Sequence, residues 1–445
     1  MNKGKETFIE ELKWRGLLND IDEDGKKRLE SNDMIIGYIG TDPTNAATII
    51  EDGVEKEISS LHLGHLCAFM IARIFQKHGN KPILLVGSAT SSLGDPSYRE
   101  NARKMMSYEQ IEFNAENIKN QLLKLVDFDE NKENCAILVN NKDWISDVKF
   151  TDFARNICQY LTVNYLLAKE SMKKRLESGL TVTELLYPIV QSFDFMTLMQ
   201  KYGCEFQFGG SDQQGTIMTS LELIRKSLNK DAHYITCPLI TDASGKKIGK
   251  TDGNASVFLD KRLTSPYKMY QYFMNISDDM AEKMIKIFVL YDKEETFKLI
   301  EEHRKNPSER ILQNIIAKEV ITLIHGKEDY DNSVQASKAL FDKEIDSLAN
   351  LSEIMFNELF EGVKQYNLNK SEIIDGMEIV DLLSQKTDIL SSKSNVRRAI
   401  DNKAISINKI KINDLSYKIF ESNLINDKYL LVQNGKKNMY LVKFL

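Results

Sequence analysis

The chain has 445 residues, more than one ordinary domain holds, so we expect several compact units. Apolar residues make up 42% and charged residues 28%, a balance that excludes a disordered or fibrous protein. The formal net charge of −6 does not exclude a polyanionic partner, because such binding depends on local patches of charge. No apolar stretch is long enough to cross a bilayer, and we expect a soluble, cytoplasmic protein.

Short apolar runs alternate with helical patterns through the first 262 residues. A first helical pattern covers 8–18, and later ones include 66–77 and 211–226. Apolar runs typical of strands buried on both faces occur at 34–39, 82–86, 136–139, 205–208 and 234–240. This alternation predicts an α/β domain with a parallel sheet covered by helices. Ligands of such sheets bind at the carboxyl ends of the strands.

The pattern changes twice after this domain. Residues 263–365 show successive amphipathic helices, including 278–290 and 306–326. Residues 368–445 combine a compact helix around 395–401 with short strands at 429–432 and 439–444. We therefore predict three domains, with boundaries at 1–262, 263–365 and 368–445. The five cysteines are widely spaced, which argues against a zinc motif or a disulfide framework.

A candidate nucleotide site begins after the first strand. Gly40, Asp42 and Thr44 lie in the loop that follows this strand, and the motif His62-Leu63-Gly64-His65 opens a helix. Two histidines three residues apart share one face of a helix, and a glycine between them permits close approach of a base or ribose. The helix N-terminus also favours phosphate. Alone, this motif is a weak signal, because two such histidines are more often ordinary surface or core residues.

A second motif follows the last strand of the predicted sheet. Residues 245–253 read GKKIGKTDG, a glycine- and lysine-rich loop with positive charges suited to a leaving pyrophosphate. By itself such a loop is usually a solvated charged turn. Both motifs in this order, flanking a parallel sheet, occur by chance much less often than either motif alone.

Together, HLGH and KIGKT resemble the two signature sequences of class I aminoacyl-tRNA synthetases. The resemblance implies a Rossmann-type domain that activates an amino acid as its adenylate, using ATP accompanied by Mg²⁺. No residue marks a dedicated metal site, and no tightly bound cofactor is implied. By motif match, Thr44, His62, Lys247, Lys250 and Thr251 would act on the phosphates.

A helical segment at 186–195 indicates the amino acid. Tyr187, Gln191 and Asp194 are spaced i, i+4 and i+7 and share one face among apolar neighbours, with Pro188 acceptable if the helix begins there. This segment resembles the tyrosine-recognition helix of tyrosyl-tRNA synthetases. The resemblance implies that Asp194 accepts a hydrogen bond from the phenol of the substrate, assisted by Tyr38.

The same resemblance implies further contacts. The substrate ammonium group would be held by Tyr187, Gln191 and Asp95, and the pocket would also be lined by Thr90 and Gln207. In the sequence Gly209-Gly210-Ser211-Asp212-Gln213, Asp212 would contact the ribose and Gln213 the substrate carboxyl. Arg99 and Arg103 match basic positions of a family loop near the phosphates. The expected ATP contacts are Gly40, Asp42, His62, Gly64, His65, Gly210, Asp212, Lys247 and Lys250.

The C-terminal module resembles a small RNA-binding module that also occurs in a ribosomal protein. Lys393, Arg397 and Arg398 lie on its short helix and suit the phosphates of folded RNA, although an ordinary basic helix has the same composition. The implied partners are tRNA(Tyr), L-tyrosine and ATP. The family also implies a homodimer, with 148–175 as the interface, and a helical domain on the anticodon side.

Three features depart from the family pattern. Residues 45–60 separate Thr44 from the histidine motif and contain an Asp-Gly turn between apolar runs, which predicts a hairpin near the ATP site. Gln214 stands where tryptophan is usual, and Ile248 replaces a more usual Phe or Met. Two alternatives stay open: a tryptophanyl enzyme of the same class, and a paralogue that binds RNA without catalysis. An active second copy with altered substrate tolerance has the same sequence features.

Overall fold

The computed structural model describes residues 6–31, 33–44, 46–51, 53–93, 106–239, 241, 256–342, 345–361, 363–435 and 438–445. Two compact units, Met1–Lys327 and Glu328–Leu445, divide the chain. Within the described residues, no helix is long and apolar enough to cross a membrane. The predicted three-domain division stays a prediction.

The first unit contains eight strands among its described residues. They are β1 (Asp20–Ile21), β2 (Ile36–Thr41), β3 (Ala46–Glu51), β4 (Val54–Ser59), β5 (Lys81–Val86), β6 (Ile137–Asn140), β7 (Phe206–Gly210) and β8 (His233–Cys237). The main sheet has the order β1-β8-β7-β2-β5-β6. Its pairs are parallel except that β1 lies antiparallel to β8 at the edge. The predicted parallel α/β sheet is therefore confirmed.

Helices surround this sheet and continue beyond it. They are α1 (Phe8–Arg15), α2 (Glu23–Leu29), α3 (Leu63–Lys77), α4 (Ser88–Ser91), α5 (Tyr108–Leu122), α6 (Lys142–Ile145), α7 (Phe150–Asn156), α8 (Val163–Leu167), α9 (Glu170–Ser178), α10 (Val182–Tyr202), α11 (Gln214–Leu228), α12 (Pro266–Asn275), α13 (Asp278–Phe288), α14 (Lys293–Lys305) and α15 (Ile311–His325). The predicted helix at 306–326 is in fact a 3-10 turn, Pro307–Glu309, followed by α15.

The second unit combines short helices with small sheets. Its helices are α16 (Lys327–Phe341), α17 (Asp346–Ala349), α18 (Glu353–Leu359), α19 (Ile379–Asp381) and α20 (Lys393–Asp401). Its strands are β9 (Lys364–Leu368), β10 (Met377–Glu378), β11 (Ile405–Ile407), β12 (Ile410–Lys411), β13 (Lys418–Ile419), β14 (Tyr429–Asn434) and β15 (Asn438–Phe444). Val396 and Ile400 of α20 are buried in the core of this unit, which leaves the opposite side of the helix exposed.

The expectation that α10 begins at Pro188 is wrong. Thr181 and Glu184 form a capping box, and this start signal begins the helix at Val182. Pro188 lies inside the helix, where it supplies no N–H for a helical hydrogen bond. Its carbonyl oxygen accepts a hydrogen bond from the Ser192 hydroxyl at 2.6 Å.

The hairpin predicted for 45–60 is present. Strands β3 and β4 pair antiparallel, and the pair Glu51↔Val54 leaves two residues for the turn, of which Gly53 has a φ of +76°. The hairpin is fastened to α5 by two hydrogen bonds. The Ser59 N–H donates to Asn114 Oδ1 at 2.9 Å, and Gln110 Nε2 donates to the Glu57 carbonyl at 2.7 Å.

A buried arginine joins α1 to the end of α13. Arg15 is 1% exposed, and its guanidinium donates to Glu11 on the preceding turn at 2.8 Å. It also donates to the carbonyl oxygens of Lys286, Val289 and Tyr291, each at 2.7 Å. These carbonyls lie at and beyond the end of α13, where backbone acceptors have no helical partner. One side chain therefore holds two helices that are far apart in the sequence.

The Glu11 carboxylate is compensated by three side chains. It accepts hydrogen bonds from Lys77 at 2.8 Å and from Arg15, and a nitrogen of His78 lies 2.7 Å away. Burial alone raises the pKa of Glu11, but the hydrogen bonds from His78, Lys77 and Arg15 outweigh burial and lower this pKa to about 2.

We expect Glu11→Gln to lower the free energy of unfolding by about 3 kcal/mol near neutral pH, since the pKa lies below the ordinary value by more than two units. The ionised carboxylate contributes fully above about pH 4.5, and its contribution is lost as the pH falls toward 2. Urea unfolding of both proteins across this range checks the idea. A stability difference that does not shrink at low pH would contradict it.

Candidate active site

The two histidines of the HLGH motif cap the first turn of α3. The Nδ1 atom of His62 accepts from the His65 N–H, and the Nδ1 atom of His65 accepts from the His62 N–H, both at 3.3 Å. The imidazole rings stack with their centroids 3.8 Å apart and an interplanar angle of 15°. The two histidine rings are therefore held in a fixed orientation at a helix N-terminus, where phosphate binding is favoured.

Gly64 is required by this stacking. A Cβ atom at position 64 would lie 2.9 Å from Cε1 and 3.0 Å from Nδ1 of His62. The His62 ring would have to move, and the stack with His65 would be lost. The sequence suggested a glycine for the approach of a ligand, and the structure adds an internal reason.

The chain segment that follows the lysine-rich loop runs beside the HLGH motif. The Leu63 N–H donates to the Val257 carbonyl at 3.1 Å, and the Leu259 N–H donates to the Leu61 carbonyl at 2.8 Å. The backbone N–H of Asp260 also donates to the Ser60 hydroxyl at 3.1 Å. Residues 257–260 are thus fixed beside the histidines.

Several predicted site residues lie outside the described residues. They are Asp95, Arg99, Arg103, Lys247, Lys250 and Thr251. Their roles stay predictions, as does the effect of Ile248.

A buried carboxylate lies on the predicted recognition helix. Asp194 is 2% exposed and accepts from Asn141 Nδ2 at 3.0 Å and from Trp144 Nε1 at 2.9 Å. Burial raises the pKa of Asp194 to about 8, the two donors oppose this rise, and the nearby Asp42 adds to it. A further hydrogen-bond donor from a ligand would favour the ionised form.

Three buried polar atoms near Asp194 have no partner among the residues that the structure describes. They are the Tyr38 hydroxyl, Gln191 Oε1 and Gln207 Oε1. Tyr38 and Gln207 are opposite each other on β2 and β7, and the Tyr38 ring lies 5.1 Å from Phe195, the neighbour of Asp194. Unpaired buried polar atoms are costly and rare, so this cluster has the composition of a site for a polar ligand.

A second hydrogen-bond network adjoins the first. Asp42 accepts from the Tyr187 hydroxyl at 2.9 Å and from the Thr90 hydroxyl at 2.7 Å. Asn141 donates to Thr90 at 3.1 Å as well as to Asp194. Asp42, predicted for ATP, is therefore bonded to two residues predicted for the amino acid. Gly87 is needed here because a Cβ would collide with Asp42 and Thr90.

The predicted ribose and carboxyl contacts lie at the end of β7. Gly210 ends this strand, and Asp212 and Gln213 lie on the 3-10 turn that follows it. Gly210 is required because a Cβ there would collide with a carboxylate oxygen of Asp212. Gly40 occupies the corresponding end of β2, and Thr44 donates its N–H to the Asp42 carbonyl at 2.8 Å. These predicted contacts therefore lie at one edge of the sheet, where the parallel strands end.

Sequence reasoning missed Asn141 and Trp144. Both follow the carboxyl end of β6, and Trp144 is 8% exposed. The signal was a polar residue and an indole donor directly after a strand of the parallel sheet, where ligand sites lie. Among the described residues, no group of three or more His, Cys, Asp or Glu side chains could hold a metal ion.

Comparison with known proteins decides the family. The family described as tRNA synthetases class I (W and Y) matches residues 58–342. The chain belongs to the class I tRNA synthetases. The Tyrosine--tRNA ligase SYY-like C-terminal domain matches residues 355–442 of this synthetase.

Relatives of this synthetase match over nearly its whole length. The Tyrosine--tRNA ligase of Bacteroides fragilis is 42% identical over 98% of this chain and 99% of its own. That of Streptococcus gordonii is 39% identical over 98% and 100%. A C-terminally truncated mitochondrial tyrosyl-tRNA synthetase of Aspergillus nidulans has a TM-score of 0.66 at 26% identity, covering 76% of this chain and 95% of that one.

We expect Gly64→Ala to weaken ATP use by about tenfold, because the added methyl displaces the His62 ring. Tyrosine affinity should stay unchanged, since the buried carboxylate pocket is untouched. The measurement is the KM for ATP in ATP–pyrophosphate exchange beside equilibrium tyrosine binding.

Gly215→Ala is the matched control, since a Cβ at this helical glycine has no heavy atom within 4 Å. Wild-type ATP kinetics in Gly64→Ala would show that the histidine stack has no part in nucleotide binding.

Proposed function

We propose that this chain is a tyrosine–tRNA ligase that activates L-tyrosine with ATP to tyrosyl-adenylate and pyrophosphate. It then transfers the tyrosyl group to the 3' end of tRNA(Tyr). The observation that carries the proposal is the buried Asp194 carboxylate, held by Asn141 and Trp144 close to the unpartnered Tyr38 hydroxyl. Tyrosine–tRNA ligases that match the chain over nearly its whole length support the same activity.

The pocket selects a phenol by its unpaired polar atoms. The substrate O–H donates to Asp194, and the Tyr38 hydroxyl binds the phenol oxygen. Phenylalanine fills the same space but leaves the carboxylate and the Tyr38 hydroxyl without this partner, a costly arrangement in a buried site. Tryptophan presents an N–H on a larger ring system at a different place.

The remaining groups of the substrate have candidate partners around Asp42. The ammonium group binds Tyr187, Gln191 and Asp95, and Asp42 adds a negative charge held by Tyr187 and Thr90. Gln207 lines the pocket beside Tyr38. Gln213 binds the substrate carboxyl from the 3-10 turn after β7.

Adenylate formation requires orientation and charge stabilisation. The tyrosine carboxylate is already ionised, so it attacks the α-phosphate of ATP without a general base. Proximity and groups aimed at the leaving pyrophosphate then lower the barrier. His62 acts from the N-terminus of α3 and Thr44 from the loop after β2. The other residues proposed to act on the phosphates are Lys247, Lys250, Thr251, Arg99 and Arg103.

The nucleoside of ATP lies between α3 and the end of β7. His65 and Gly64 contact it from the helix, Asp212 binds the ribose, and Gly210 and Gly40 allow the backbone close approach. The Mg²⁺ ion arrives with ATP as part of this substrate.

The second unit is proposed to bind tRNA through α20. Arg397 and Arg398 are exposed and form no ion pair with the part of the chain that the structure describes. Lys393 is also exposed, but its charge is compensated by Asp381 at 2.6 Å. The two arginines therefore have the stronger attraction for RNA phosphates. In the transfer step the terminal ribose hydroxyl of the tRNA attacks the adenylate carbonyl.

We also propose a cytoplasmic homodimer. The predicted interface at 148–175 contains α7, which has no buried residue in the single chain. Phe150 is 76% exposed and Val163 is 56% exposed. Exposed large apolar side chains of this kind suit a protein interface.

The first experiment is ATP–pyrophosphate exchange of the full chain with tyrosine, phenylalanine and tryptophan in parallel. We expect exchange with tyrosine alone. Asp194→Asn should weaken tyrosine binding by about 10- to 100-fold, because a hydrogen bond to a charged group is lost. Exchange with tryptophan, or with none of the three, would overturn the proposal.

Tyrosine affinity should also rise with pH. The pKa of Asp194 is about 8 in the free chain, and the phenol donor favours the ionised carboxylate, so binding releases a proton. We expect affinity to increase by up to about tenfold per pH unit between about pH 6.5 and pH 8. Calorimetry should show this slope in the wild type and a flat profile in Asp194→Asn.

The RNA-binding role is tested by the double variant Arg397→Ala, Arg398→Ala. We expect about tenfold weaker tRNA binding at moderate salt, with tyrosine-dependent exchange unchanged. The control is Lys13→Ala, Lys230→Ala, which removes two exposed charges from the first unit. Equal losses in both double variants would indicate a general charge effect and remove α20 from tRNA recognition.

A further inference from the structure

Gln214 makes a specific side-chain contact. The family that the sequence resembles usually has tryptophan at this position. The Gln214 Nε2 atom donates to Oδ2 of Asp20 at 2.7 Å. Both side chains are partly buried. A glutamine has less apolar surface to bury than a tryptophan, so its position depends more on such a hydrogen bond.

Asp20 is itself fixed on the edge strand β1. It pairs with Thr236 of β8, and the preceding Asn19 binds the carbonyl and hydroxyl of Thr236 at 2.7 Å and 3.0 Å. The Asp20 carboxylate also accepts from the Tyr234 hydroxyl at 2.7 Å and the Ile21 N–H at 3.0 Å. A carboxylate with this many donors is a rigid anchor.

Gln214 is also the junction between two helical segments. It is the first residue of α11, and its N–H donates to the Ser211 carbonyl, which closes the preceding 3-10 turn. That turn carries Asp212 and Gln213. A shift of the Gln214 side chain would therefore move the adjoining turn, and with it the two predicted substrate contacts, Asp212 and Gln213.

We infer that Asp20 and Gln214 are a pair of positioning residues that hold the Ser211–Gln213 turn for the adenylation step. The inference rests on the proposed function, because Asp212 and Gln213 act there on the ribose and the substrate carboxyl. In this inference Asp20 and Gln214 act through the turn and not by contact with a substrate. Their effect is to fix the turn at the end of β7, which leaves the phenol pocket around Asp194 unchanged.

The test uses the full chain and compares Gln214→Glu with the double variant Asp20→Asn, Gln214→Glu. The single change places a second carboxylate beside that of Asp20, which removes the hydrogen bond and adds repulsion. We expect kcat/KM for ATP to fall about tenfold. In the double variant, the new amide at position 20 donates to the new carboxylate at position 214 and to the Tyr234 oxygen, and its carbonyl accepts from the Ile21 N–H. Activity should return to within about threefold of wild type. Discrimination between tyrosine and phenylalanine should stay at the wild-type level in both.

Asn19→Ala is the matched control, because it removes the neighbouring side-chain hydrogen bond to Thr236 and leaves the donors of Asp20 and the Gln214 side chain in place. We expect its kcat/KM for ATP to stay within about twofold of wild type. An equal loss in Asn19→Ala and Gln214→Glu, or no rescue in the double variant, would overturn the inference. Gln214→Leu provides a second variant if Gln214→Glu does not fold, and it should show the same loss.

A readout that does not depend on catalysis separates this inference from the proposed function. Amide hydrogen exchange in the peptide containing Ser211–Gln214 should accelerate in Gln214→Glu and return to the wild-type rate in the double variant. If the wild-type protein shows no tyrosine-dependent ATP–pyrophosphate exchange, the proposed function is refuted. Unchanged amide protection in Gln214→Glu refutes the positioning role, whatever the activity.

Discussion

The backbone hydrogen bonds between 61–63 and 257–259 are the constraint on which the candidate site depends. They align the start of α3, with its histidine pair, beside the segment that leaves the lysine-rich loop. The parallel sheet also brings distant residues together, because β2, β5, β6 and β7 all end at one edge. Residues from distant parts of the sequence therefore meet at the candidate site.

Electrostatic pre-organisation is concentrated around the buried Asp194 carboxylate. Asp194 is buried at a cost that its two donors offset only in part, as the raised pKa indicates. Asn141 connects this carboxylate to Thr90, and Thr90 connects to Asp42. A ligand with a phenol and an ammonium group would complete both networks, so its binding free energy derives from groups that the fold holds in place.

The sequence predicted the sheet and the hairpin β3–β4 because both depend on local patterns, and the roles of the site residues stay predictions. Buried apolar runs identified the strands, and an Asp-Gly turn identified the hairpin β3–β4. The start of α10 differs from the expectation at Pro188 because the Thr181–Glu184 capping box begins the helix at Val182. Asn141, Trp144 and the Asp20–Gln214 bond depend on tertiary neighbours, which no local pattern contains.

The hairpin β3–β4 begins and ends at the same place, since Ala46 pairs with Ser59. Its length can therefore change without separating the loop around Thr44 from the histidine motif. A β-ribbon of this kind is a natural insertion point for a fluorophore-labelled tag at Gly53. Such a tag would leave the chain path from Thr44 to the histidine motif intact.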